Sequence, residues 1–163
     1  MLLLHLIFAF LLLLFVGVEH SWPPWLQIGW TCPQLGLVAV LSIGLVSGPT
    51  AGAVAGLFGA FFAAAAGSLP MGGLFITYIG TGFIAGSLSG RIFSTRIIVA
   101  VMVSLAAAAA ASIIYLILAP PPQFLPWLRT AALTVISTGL WAIPVYALFR
   151  GVAARLMPEA DTY

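Results

Sequence analysis

Apolar runs long enough to cross, or nearly cross, a bilayer alternate along this chain with short polar or proline-rich breaks. The runs cover 2–18, 34–47, 50–67, 72–90, 97–118 and 126–149. They are continuous and lack the alternation of a barrel strand, which is the pattern of membrane helices. Backbone amides in hydrocarbon have no water to bond, so spanning segments of this kind must satisfy them internally as helices. The pattern therefore predicts an all-α integral membrane protein: a single domain, 1–163, folded as one compact bundle of six transmembrane helices. The 34–47 run is short for a full crossing, which leaves five spans as the alternative.

The breaks have recognisable causes. The first run is N-terminal and Leu-rich, but no Lys or Arg precedes it, and Glu19-His20-Ser21-Trp22 is a poor cleavage site, so it is expected to be a retained helix. From 19 to 33, Trp22, Trp25 and Trp30 interleave with Pro23, Pro24 and Pro33, a composition suited to the headgroup level. Gly48-Pro49 marks a turn or helix break. Ser68-Leu69-Pro70-Met71 divides the third run from the fourth, and Pro120-Pro121-Pro122 forces a loop, because proline lacks an amide donor and restricts the residue before it. Pro144 is expected to kink the last span or break its hydrogen-bond ladder.

Composition agrees with this pattern. Of 163 residues, 63% are hydrophobic and only 5% charged, and the mean hydropathy is +1.24. A soluble domain needs far more charge to cover its surface. The net charge of +2, five dispersed arginines against three acidic residues, is too small and too scattered for a nucleic-acid surface. Arg91 and Arg96 share the break after the fourth run, and Arg150 and Arg155 follow the sixth. With six spans these basic segments and both termini share one side, and the positive-inside rule makes that side cytoplasmic. Five spans would put the N-terminus outside. Arg129 is the one arginine on the outer side, near enough to the headgroups to snorkel, or to pair with Glu19 or with a partner's carboxylate.

Small residues form the clearest motif. Gly48, Gly52 and Gly56 recur every fourth position, Ala51, Ala55, Gly59, Ala63 and Gly67 make an adjacent stripe, and Gly82, Gly86 and Gly90 repeat the spacing. Such faces let two helix backbones approach closely, and in lipid close contact supplies much of the association energy. Spacing alone leaves open whether these faces pack inside the bundle or against a partner's helix. Hydroxyls within the runs (Thr77, Thr81, Ser87, Ser104, Ser112, Thr134, Ser137 and Thr138) are expected to bond back to carbonyls one turn earlier.

Residues for chemistry are scarce. His5 is expected at the membrane interface, and Glu19 with His20 beyond the membrane. The only other acids are Glu159 and Asp161 in the tail, so no paired-carboxylate or Ser-His-Asp centre can form within the bilayer. Cys32 is a single thiol without a metal-ligand cluster around it. Gly80-Thr81-Gly82 lacks the strand that precedes a phosphate-binding loop. The residues predict no catalytic site, no cofactor and no metal.

Between about 33 and 155 the order of landmarks resembles the rod shape-determining protein MreD family. The matching residues are Pro33; the series Gly48, Gly52, Gly56-Leu57; the turn Gly67-Ser68-Leu69-Pro70-Met71-Gly72-Gly73; Gly82-Phe83-Ile84-Ala85-Gly86, similar to the family's Gly-Tyr-x-x-Gly; and Pro144-x-Tyr146 before Arg150 and Arg155. The resemblance implies a non-enzymatic membrane scaffold of the bacterial cell-wall elongation complex that helps to maintain rod shape. It would bind an MreC-like single-span partner and work alongside RodA, a class B penicillin-binding protein and MreB. It also implies a fold similar to the substrate-binding subunits of energy-coupling-factor transporters, so a vitamin-like uptake subunit is the alternative, its polar groups being Trp22, Trp25, Trp30, Arg129 and Thr134. In one respect the chain departs from the family. MreD sequences commonly carry an acidic residue after the Gly-Leu of the third span, where this chain has Phe58, Gly59, Ala60, Phe61 and Phe62.

Overall fold

A computed structural model describes residues 2–23, 27, 31–67, 71–89 and 97–156. These residues form six helices: α1 (Leu2–His20), α2 (Leu35–Ser47), α3 (Pro49–Ala65), α4 (Met71–Ser89), α5 (Ile97–Leu118) and α6 (Phe124–Leu156). The chain runs up and down through the bundle. Four of the helices, α1, α4, α5 and α6, are long and apolar enough to cross a membrane. The chain is thus a helical membrane protein. Leu3, Phe10, Ile76, Ile98, Ile113, Ile117, Leu125 and Ile136 are exposed, as expected where side chains meet lipid rather than water.

At the centre stands α2. Eleven of its 13 residues are buried on all sides, Leu35 to Leu45 without a gap. At about 1.5 Å per residue it is about 20 Å long, shorter than the roughly 30 Å of hydrocarbon. A helix apolar all round needs protein on every face, and α2 has it from α1, α3, α4, α5 and α6. It ends at Gly48, whose φ of 90° is open mainly to glycine, and Pro49 then starts α3 with a φ already suited to a helix.

Its other end starts deep in the bundle. The Gln34 amide donates to Thr138 Oγ1 at 3.0 Å, and Trp22 packs edge-on against Trp141 with ring centroids 5.1 Å apart. Thr138 lies about 21 Å along α6 from its start, at ~1.5 Å per residue. The described ends of the 19–33 connection therefore dip between the helices instead of crossing the rim of the bundle. Non-helical backbone is tolerated at such depth where protein encloses it.

The helix boundaries differ from the sequence expectation in two places. Helix α6 begins at Phe124 and continues to Leu156, whereas hydropathy ends the last span at 149. Beyond that point Ala153 is still buried, and Phe149 is packed by Phe8 and Phe15 of α1 at 5.3 and 6.0 Å between centroids. Packing against α1 extends the helix after the lipid-like pattern stops. Pro144 lies inside α6 on an exposed face, and the helix passes through it unbroken.

Candidate partner-binding groove

The glycines bring helix backbones into direct contact. A Cβ added at Gly52 would run into the Gly82 carbonyl, and one at Gly82 into the Gly52 carbonyl. At Gly56 it would meet the backbone of Tyr78 and Ile79, at Gly86 the backbone of Gly48 and Pro49, and at Gly44 the Gly82 oxygen at 2.6 Å. These positions line one seam where α2, α3 and α4 press backbone to backbone, so the fourfold spacing serves packing inside the bundle. Gly48 itself turns the chain between α2 and α3. Gly90, Arg91 and Arg96 lie outside the described residues, as do Trp25, Trp30, Glu159 and Asp161.

The hydroxyls inside the helices mostly satisfy themselves. Thr77, Ser87 and Ser112 donate to carbonyls four residues earlier at 2.7 to 2.9 Å, Thr138 donates to the Thr134 carbonyl at 2.7 Å, and Ser137 to the same oxygen. Ser104 does not follow this pattern: its buried Oγ has no hydrogen-bond partner among the described residues, like Trp22 Nε1 and Gln34 Oε1.

Glu19 turns inward. Its Oε2 accepts a 2.8 Å hydrogen bond from the Gly36 amide in the first turn of α2. Gln34, at the N-cap of α2, makes no side-chain cap bond. The orphan amides at the start of α2 are thus met from neighbouring helices: Glu19 on α1 takes the Gly36 amide, and Thr138 on α6 takes the amide of Gln34 just before the helix. Arg129 is exposed on the flank of α6 and makes no ion pair with Glu19 among the described residues. Of the cationic groups near the N-terminal end, Arg150 is half-buried and Arg155 exposed, both on the last turns of α6.

Whereas α2, α3 and α4 touch along their backbones, α1 and α3 stand apart and leave an open apolar groove of about 730 Å³. One rim is Leu6, Phe10 and Leu13 of α1, and the other is Thr50, Val54 and Phe58 of α3. Both rims follow the three- and four-residue spacing that puts side chains in a row on a helix. Between them the floor contains Ala51, Ala55 and Ile43. Leu6, Phe10, Val54 and Phe58 are more than half exposed. No spacing rule pointed to this groove, because its width depends on the angle between two helices that are distant in sequence. The exposed rims are visible only as apolar residues among many.

Among the described residues, no group of three His, Cys, Asp or Glu side chains is placed to hold a metal. Comparison with family models, with curated proteins and with solved structures finds no match to the chain.

Proposed function

We propose that this protein is a non-enzymatic scaffold of the bacterial cell-wall elongation machinery, an MreD-type protein that receives the transmembrane helix of an MreC-like single-span partner. The groove between α1 and α3 is the observation that carries the binding part of this reading. Two parallel rims at helical spacing, Leu6-Phe10-Leu13 and Thr50-Val54-Phe58, flank a floor with two alanines, and that shape suits a third helix packing its side chains between those of the first two. The ordered landmarks from Pro33 to Arg155 support the family part.

In this reading all six helices cross the cell (inner) membrane, with α2 as a short, fully enclosed span. Both termini and the basic positions Arg91, Arg96, Arg150 and Arg155 face the cytoplasm. The fold is of the kind found in the substrate-binding subunits of energy-coupling-factor transporters. RodA, a class B penicillin-binding protein and MreB are the further partners of the assembly, and lipid surrounds it.

The test fills the groove without touching the bundle's own contacts. Ala9 lines the groove and is exposed, so Ala9→Trp should lower co-purification with the MreC-like partner by about tenfold or more, equivalent to ~1.4 kcal/mol or more of lost binding. Leu14→Trp, on an exposed part of α1 outside the groove, should leave recovery unchanged. Equal recovery of both variants would count against the groove as the binding site.

A further inference from the structure

We infer that Glu19 is a positioning residue that fixes where α1 lies against the bundle and so sets the width of the α1–α3 groove. Helix α1 buries one stripe, Leu4, Phe8, Leu12 and Val16, each four residues after the last. An apolar stripe of this kind is a weak locator, because dispersion is not directional and in lipid no hydrophobic effect distinguishes protein from acyl chains. The directional contact is at the far end of the helix, where the Glu19 carboxylate accepts from the Gly36 amide at 2.8 Å. That amide is one of the donors α2 cannot satisfy from within, and the residue at its own N-cap offers no side-chain bond in place of Glu19.

The identity of residue 36 points the same way. A Cβ there would stand 2.8 Å from Val16 Cγ2, 3.0 Å from Tyr78 Oη and 3.3 Å from Glu19 Oε2. Glycine at this position lets the last buried residue of the α1 stripe, the carboxylate and a tyrosine of α4 converge on the first turn of α2. The groove runs along the N-terminal part of α1, from His5 to Leu13, and this junction closes the other end of the helix. Phe8 and Phe15 still hold α1 against Phe149, so release of Glu19 lets the helix tilt about that contact and changes its distance from α3. The consequence for partner binding rests on the groove reading proposed above, but the position of α1 does not.

The experiment reads that position directly in the purified chain, without any partner. Spin labels at Phe10→Cys and Phe58→Cys, in a Cys32→Ser background and in lipid nanodiscs, report the distance across the groove by pulsed electron paramagnetic resonance. A second pair, Phe58→Cys and Ile84→Cys, reports the α3–α4 seam. Glu19→Leu and Gly36→Ala should each broaden or displace the groove distance by several ångströms and leave the seam distance unchanged. Glu19→Gln, which keeps an oxygen to accept from the Gly36 amide, should retain the parent distribution. An unchanged groove distance in Glu19→Leu would overturn the inference, as would a Glu19→Gln distribution as broad as that of Glu19→Leu. A shift of the seam pair in Glu19→Leu would overturn it too, since Glu19 would then hold the whole fold and not α1. Because no partner enters the measurement, these outcomes are independent of whether the groove binds one.

Discussion

Gly52→Ala adds a single methyl group at the tightest point of the bundle. The new Cβ would overlap the Gly82 carbonyl oxygen and stand 2.8 Å from both Gly44 Cα and the Gly82 carbonyl carbon. All of these are backbone atoms, so no side chain can rotate away. Relief requires α3 to withdraw from α2 and α4 together. At Gly44, where a Cβ would lie 2.6 Å from the same oxygen, ordinary contact would need the helices to part by roughly 0.8 Å, a gap that forfeits about a quarter to a half of each dispersion contact along the seam. The α2–α3–α4 seam is held chiefly by such contacts. Overpacking of this kind costs about 1–3 kcal/mol, and the alanine's better helix propensity offsets at most ~1 kcal/mol of that. A net loss of about 1–2 kcal/mol corresponds to a fall of roughly 2–8 °C in Tm for a chain of this size. Gly80→Ala is the matched control. It lies on α4, and a Cβ there meets nothing within 4 Å, so its Tm should equal or slightly exceed the parent's. Thermal unfolding of both variants in one detergent, followed by circular dichroism, makes the comparison. A Gly52→Ala protein as stable as Gly80→Ala would refute the claim that this seam is closed backbone to backbone.

Other sites give predictions of different kinds. Phe149 is fully buried between Phe8 and Phe15, and Phe149→Ala should cost about 3–5 kcal/mol in an unfolding titration; a loss below 1 kcal/mol would mean that α1 is not anchored there. Ser104 buries a hydroxyl without a hydrogen-bond partner among the described residues, so Ser104→Ala should be neutral or stabilising by up to ~1 kcal/mol in the same titration. A marked destabilisation would show that the hydroxyl has a partner in the folded protein. Pro144 faces outward inside an unbroken α6, and Pro144→Ala should keep or raise Tm, because it restores an amide donor to the helix ladder. A lowered Tm would show that the proline ring itself contributes to the stability of the bundle.

Much of the architecture is legible along the chain because lipid imposes a simple rule. Long apolar runs have to be helices, and α4 and α5 fall within a residue or so of where hydropathy puts them. The glycine spacing is informative for a similar reason: residues four apart share a face, and Gly52, Gly56, Gly82 and Gly86 do lie together. Spacing cannot say which two faces meet, and the inclusion of Gly44 in the seam was not evident. Helix α6 continues past the apolar run that ends at 149, because hydropathy measures preference for lipid, whereas Phe149 packs on α1 and Ala153 is still buried. Glu19 reads along the sequence as a charge next to a membrane end. Its part in satisfying α2 depends on a hydrogen bond between two helices, made at the Gly36 amide, and no local pattern encodes that. The groove is harder still to read, because it is a space set by how far α1 and α3 diverge.

The proposed scaffold role requires a partner's helix to lie between α1 and α3. Its most direct test is site-specific photocrosslinking in cells, with a photoreactive amino acid placed in turn at Phe10, at Phe58 and at Ile117. The first two are on the rims of the groove, and the third is an exposed position on α5 away from it. Positions 10 and 58 should each give an adduct with the MreC-like single-span protein, and 117 none. Adducts from 117 alone, or none from either rim while the partner still co-purifies, would contradict it.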